Sequence, residues 1–143
     1  MKLTLIRGIP GSGKTTRAEE LMDGDTEHFE ADMFFEEFNR ETGELEYCFD
    51  KKFIGDAHIW CQGNAAAALF NGSDVIVSNT SIYISDIYTY YDIAERYGAE
   101  FEIINCTGDY KNTHNVPKKV LERMKSYFKV ITTEEFMEKG SDI

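Results

Sequence analysis

Residues 8–15 read Gly-Ile-Pro-Gly-Ser-Gly-Lys-Thr and fit the pattern G-x-x-x-x-G-K-[ST] at every specified position. What flanks them matters as much. Lys2 to Arg7, with Leu3, Leu5 and Ile6, predicts a short buried strand, and Thr16 to Met22 predicts a helix ended by Gly24. A strand, a glycine-rich turn and a helix in that order aim main-chain N–H groups and a helix N-terminus at one point, which makes an anion site. Gly8, Gly11 and Gly13 permit conformations and close approaches that a Cβ would obstruct; Pro10 and Ser12 complete the turn, and Thr16 follows in the first helical turn. Lys14 is expected to bridge the β- and γ-phosphates of a nucleoside triphosphate, and the Thr15 hydroxyl to hold the Mg2+ that neutralises them. A turn with no ligand has no use for Lys-Thr after its last glycine.

The rest of the composition bounds the partners. At 143 residues the chain is expected to be a single domain, burying about 70% of its unfolded surface. Fifteen Lys and Arg stand against 26 Asp and Glu, a formal net charge of −11. That balance excludes an extensive basic face for long nucleic acids, so any basic surface is local: Lys14, and the cluster Lys111, Lys118, Lys119 and Arg123. Cys48, Cys61 and Cys106 are odd in number and form no C-x-x-C pair, which argues against a disulfide framework or a zinc site and for a reducing cytoplasm. No apolar run approaches the roughly 18 residues of a membrane span, and the chain enters its first strand at once, leaving no room for a signal peptide. No membrane partner is expected.

Downstream, Thr26 to Glu30 predicts a second strand ending just before Asp32. In open α/β sheets ligands sit beyond the carboxyl ends of strands, so Asp32 is a candidate catalytic carboxylate facing the nucleotide; it is equally suited to cap a helix over Met33 to Phe38. Asn39 to Asp50 reads as a surface excursion or short hairpin turning at Thr42-Gly43. Asp50 then caps a helix to about Phe70, with Phe53, Ala57, Trp60, Cys61, Ala65, Ala68 and Leu69 inward. Asp74 to Ser78 predicts a third strand, whose end presents Ser78 and Asn79 as candidates for orienting Asp32, the Mg2+ shell or the substrate. A helix over Ser85 to Tyr97 and a fourth strand over Ala99 to Cys106 follow. Thr107 to Pro117 reads as a polar lid carrying Lys111 and His114, ahead of a helix from Lys118 to about Lys129 that bears Arg123. Val130 to Thr132 suggests a fifth strand, and Thr133 to Ile143 an acidic tail that frays. The order predicts an α/β three-layer sandwich: a mostly parallel sheet of four or five strands with helices on both faces.

Four segments, Arg7 to Thr16, Ala31 to Phe35, Val75 to Ser81 and Asn115 to Met124, resemble in the same order and spacing the P-loop kinases typified by the phage polynucleotide 5′-hydroxyl kinase domain, over about residues 2 to 129. The resemblance implies an adenylate-kinase-like P-loop NTPase fold, ATP with Mg2+, and transfer of the γ-phosphoryl group to a hydroxyl. It makes Asp32 the general base and puts Lys111 where the lid supplies a cation, usually arginine. Two positions depart from the pattern: Phe35 stands where the family carries an arginine that engages the acceptor, and Asn79 where it carries an aspartate. The residues leave three readings open. The acceptor is the 5′-hydroxyl of a single-stranded nucleic acid end; or it is a nucleoside, nucleotide or other small metabolite, which net acidity and Phe34-Phe35 favour; or the chain is an ATP-binding switch without transfer activity.

Overall fold

The computed structural model describes residues 1–110 and 116–141; Lys111 and His114 of the expected lid lie outside the described residues. The elements are β1 (Lys2–Arg7), α1 (Lys14–Leu21), β2 (Thr26–Phe29), a 3-10 turn (Ala31–Phe35), β3 (Glu36–Asn39), β4 (Glu44–Tyr47), a second 3-10 turn (Lys51–Phe53), α2 (Ile54–Phe70), β5 (Asp74–Asn79), α3 (Ile84–Arg96), β6 (Glu100–Asn105), α4 (Lys118–Tyr127) and α5 (Thr133–Ser141).

β1 is apolar on both faces because both are covered. It pairs in parallel with β5, Leu5 opposite Val77, and with β6, Leu5 opposite Ile103; β2 adds in parallel outside β5. The sheet order is β2-β5-β1-β6. Leu3, Leu5, Val75, Val77 and Ile103 face a large core closed by Ala57, Cys61, Ala65 and Leu69 of α2, Ile87, Tyr90 and Ala94 of α3, and Phe136 of α5. Ile6 and Ile76 face the other way, against Ala18 of α1. The alanines of α2 bring that helix close to the sheet, as side chains that end at Cβ allow. Asp50 starts the segment as expected, its carboxylate accepting from the Lys52 N–H at 3.2 Å.

Three expectations are corrected. No helix runs over Met33 to Phe38: the chain makes one 3-10 turn and enters β3, so Asp32 lies inside that turn rather than ahead of a helix, and the hairpin begins at Glu36 rather than Asn39. Val130 to Thr132 is not a strand, because the Asn105 side chain takes its main-chain groups, Nδ2 donating to the Ile131 carbonyl at 2.8 Å and Oδ1 accepting from the Ile131 N–H at 3.4 Å. The acidic tail is helical through Ser141, pinned by Phe136 at 1% exposure against Tyr88, Tyr91 and Phe101. On α4 the inward residues Val120, Leu121 and Met124 are only half-buried. Among the described residues no helix is long and apolar enough to cross a membrane.

Candidate functional site

The turn after β1 is held from behind. Arg7, at 2% exposure, donates from Nε to the Ser81 carbonyl at 3.0 Å, from Nη2 to Ile82 at 3.2 Å, and from Nη1 to Asn105 Oδ1 and the Lys129 carbonyl, both at 2.7 Å. Its guanidinium also lies 4.3 Å from the centre of the Phe128 ring. One buried side chain thereby fixes the β5–α3 connection and the segment after α4 to the strand that leads into the loop. Gly8 follows, its N–H on the Thr80 carbonyl at 3.2 Å. A Cβ on Gly8 would run into Ser12 Oγ and come within 2.6 Å of the Cys106 carbonyl oxygen, so only glycine fits there.

The Ser12 N–H closes a turn on Ile9 at 3.1 Å, around Pro10 and Gly11, and Gly13 enters α1 at φ 96°. Ser12 Oγ is buried with no hydrogen-bond partner among the described residues. A buried hydroxyl without a partner costs about 1–3 kcal/mol, a cost the tight turn under Gly8 carries. Lys14 Nζ rests on the Ile9 carbonyl at 3.1 Å. Burial pulls the lysine below its ordinary range, while the nearby charges of Glu30, Cys106 and Asp32 push it back up. The cleft therefore holds a desolvated cation within the field of two carboxylates, with Thr16 exposed beside it on the first turn of α1.

Glu30, just past β2, is the functional residue that sequence reasoning passed over. Its Oε1 accepts from Thr15 Oγ1 at 2.6 Å and from Ser78 Oγ at 2.7 Å, with His28 Nε2 at 3.4 Å. Since Ser78 spends its proton on Glu30, it accepts the Nε2–H of His28 at 2.6 Å, which sets the histidine tautomer. Burial raises the Glu30 carboxyl, but the hydrogen bonds from His28, Thr15 and Ser78 outweigh it and bring the group down to about 2. A carboxylate taking the Thr15 proton leaves the hydroxyl lone pairs to face a cation. Among the described residues no group of three or more His, Cys, Asp or Glu forms a metal cage, so a hard cation here would lean on Thr15 and on ligand oxygens, as Mg2+ commonly does. The residues fit such an ion.

Asp32 lies two residues on, in the 3-10 turn, half-buried, close enough for Lys14 to feel its charge, and its Oδ1 accepts from the Tyr47 hydroxyl at 3.0 Å. Tyr47, on β4, is a second residue the sequence did not single out; its only signal was an aromatic at the end of a polar excursion. Burial and the Asp32 charge push its phenol above the usual range. Asn79 sits beneath the turn: Oδ1 accepts from the Ala31 N–H at 2.8 Å and Nδ2 donates to the Tyr90 hydroxyl at 3.3 Å. Ser78 thus joins the Thr15–Glu30 group, while Asn79 is committed to the main chain ahead of Asp32. Phe35 is buried in the core and does not line the cleft. Arg123 is exposed on α4, where its carbonyl accepts from Ser126. From the far side Tyr110 covers the loop, its N–H on the Gly11 carbonyl at 2.7 Å and its ring against Gly13.

Comparison with known proteins agrees with this architecture. The AAA domain family matches the chain over residues 3–112. Over 136 residues the chain is 27% identical to NEDD4-binding protein 2 of Homo sapiens, covering 88% of this chain and 8% of that protein. Its fold is similar to that of a chain in the Pnkp1/Rnl/Hen1 RNA repair complex, TM-score 0.57 at 18% identity, covering 96% of this chain and 42% of that one. It is also similar to APE1195, TM-score 0.56 at 22% identity, covering 94% and 81%. The chain thus spans less than half of the human relative and of the repair-complex chain.

Proposed function

Since the chain belongs to the AAA domain family, we propose that it is an ATP-dependent kinase that transfers the γ-phosphoryl group to a hydroxyl, with a polynucleotide 5′-hydroxyl as acceptor. It is a P-loop kinase-like domain, and nucleotide binding follows from that fold. The observation that carries the transfer reading is the convergence of two carboxylates from the end of β2 on the loop: Glu30 on Thr15, and Asp32 within the field of Lys14. We read residues 1–143 as one domain, with the segment around 107–117 as its lid and Lys111 as the lid cation.

The division of labour follows from position. The loop amides and Lys14 grip the phosphates, with Gly8, Pro10, Gly11, Ser12, Gly13 and Thr16 shaping the cradle. Thr15, oriented by Glu30, is the residue that would hold Mg2+, which when bound neutralises the β- and γ-oxygens. Asp32, its rotation fixed by Tyr47, takes the proton of the acceptor hydroxyl as the hydroxyl oxygen bonds to the γ-phosphorus and the bond to the bridging oxygen of ADP breaks. That a structural neighbour comes from an RNA repair complex supports an RNA end as acceptor. A small hydroxyl acceptor such as a nucleoside is the second reading, favoured by the exposed carboxylates Glu36, Glu37, Glu44 and Glu46 on the hairpin beside Asp32.

Radiolabelled ATP offered with a 5′-hydroxyl oligonucleotide, and in parallel with nucleosides, tests both. Transfer to the oligonucleotide supports the first reading, and its steep loss with added salt marks a polyanionic acceptor. ATP binding without label transfer to any acceptor would overturn the kinase reading and leave a nucleotide-binding switch.

A further inference from the structure

The β3–β4 hairpin carries side chains that the phosphate site does not use. Phe35 closes the 3-10 turn and is buried. Tyr47 and Phe49 pack edge-on against its ring, centroids 6.2 Å and 5.1 Å away, and lie nearly parallel to each other, 6.2 Å apart with 16° between the planes. Both are open to water, Tyr47 at 38% and Phe49 at 52% exposure. Two neighbouring aromatic rings, ordered against a buried third and open to water, offer a contiguous apolar surface of the kind that binds flat ligands. The pair is also tied to the chemistry, because the Tyr47 hydroxyl donates to Asp32.

Resting on the kinase reading above, we propose that Tyr47 and Phe49 form the acceptor subsite, on which the base of a 5′-terminal nucleoside stacks while its 5′-hydroxyl reaches Asp32. The surroundings choose a base over a phosphate. Glu36, Glu37, Glu44 and Glu46 are exposed on the same hairpin and repel anions, and what lies under the platform is the hydrocarbon of Phe35. A neutral, flat, polarisable group meets no penalty there. Stacking reads every base by its π-face, so the subsite demands a base without specifying which. Specificity thus rests on the terminal nucleoside itself, and a free nucleoside and the unpaired end of a strand are equivalent occupants. A 5′-terminal base locked in a duplex stack is not.

The test separates binding from transfer. Saturation-transfer NMR without ATP compares adenosine with methyl ribofuranoside, which keeps the 5′-hydroxyl and lacks the base. Adenosine is expected to show base-proton signals that Phe49→Ala abolishes and Phe49→Trp retains, and the baseless sugar to show none. In kinetics Phe49→Ala is expected to raise the acceptor KM by about 5- to 150-fold, the range of one lost base stack, with the loss carried by KM. Tyr47→Phe keeps the ring and the base signals and lowers kcat through Asp32. Equal binding of adenosine and the baseless sugar, or an acceptor KM within about twofold in Phe49→Ala while transfer proceeds, would overturn the subsite and leave the kinase reading standing. Absence of transfer to any acceptor, with adenosine signals that Phe49→Ala removes, would overturn the acceptor role together with the kinase reading and leave a base-stacking platform of another use. Self-association lost in Phe49→Ala, with no response to adenosine, would overturn the subsite by assigning the platform to contact between copies.

Discussion

Replacing Glu30 by glutamine isolates the charge that organises the loop. In the folded chain the carboxyl, raised by burial, is carried down from its ordinary value of 4.5 to about 2 by the bonds from His28, Thr15 and Ser78. A folded-state value below the unfolded one means that ionised Glu30 stabilises the fold fully above pH 4.5 and progressively less as pH falls toward 2. At 1.36 kcal/mol per pH unit that fall is worth about 3 kcal/mol, with little screening because the side chain is 14% exposed. Glutamine keeps one acceptor oxygen, so Glu30→Gln should lose about 2–3 kcal/mol at pH 7, a drop in Tm of several degrees in a domain of this size. Urea unfolding in EDTA, without nucleotide, at pH 7, 5, 4 and 3 gives the difference directly. It should be constant from pH 7 to 5 and shrink below pH 4.5. A variant as stable as the parent at pH 7, or a difference that stays flat to pH 3, would show that the three hydrogen bonds do not favour the charged form.

On the proposed mechanism Asp32→Asn should slow transfer by about 10²–10⁴ while ATP affinity, read by calorimetry, stays near that of the parent, since the proposal sets Asp32 against the acceptor rather than the phosphates. Arg7→Met should cost about 3–5 kcal/mol in urea unfolding, because four acceptors, two buried and two partly buried, lose their donor at once. Asn79→Asp should destabilise by about 1–3 kcal/mol rather than restore activity, since it removes the donor to Tyr90 and buries a second charge near Glu30; higher kcat would refute that account.

The loop, the four-stranded sheet and α2 were legible because each is specified locally: glycines at fixed offsets, β-branched runs, and Asp50 ahead of an alanine-rich stripe. Glu30 was not, since its role depends on β2 lying beside β5, which brings Ser78 and Thr15 to one oxygen. The only trace was a carboxylate at a strand end two residues before another. Val130 to Thr132 has the composition of a strand, but a single asparagine side chain satisfied its backbone first. The tail hid its anchor in the same way: one buried Phe136 outweighs the acidic residues around it once Tyr88, Tyr91 and Phe101 are assembled.

The two departures from the kinase pattern read as losses along the chain and as a rearrangement in space. An aspartate at 79 would lie under the turn that carries Asp32, where the amide accepts from Ala31 and donates to Tyr90, two bonds of opposite sense that no carboxylate can make together. The acid that neighbours Thr15 instead comes from Glu30, one strand further out, and Ser78 on β5 serves it as a donor. Phe35, in place of a cation, supports Tyr47 and Phe49 and lets Tyr47 reach Asp32. Against the pattern it resembles, this chain carries a carboxylate at the end of β2 rather than of β5, and an aromatic rather than an ionic contact next to Asp32. On the proposed kinase reading, the chemistry at the phosphorus needs the first arrangement only, so what differs between this chain and the pattern it resembles is the class of group that can lie beside the attacking hydroxyl.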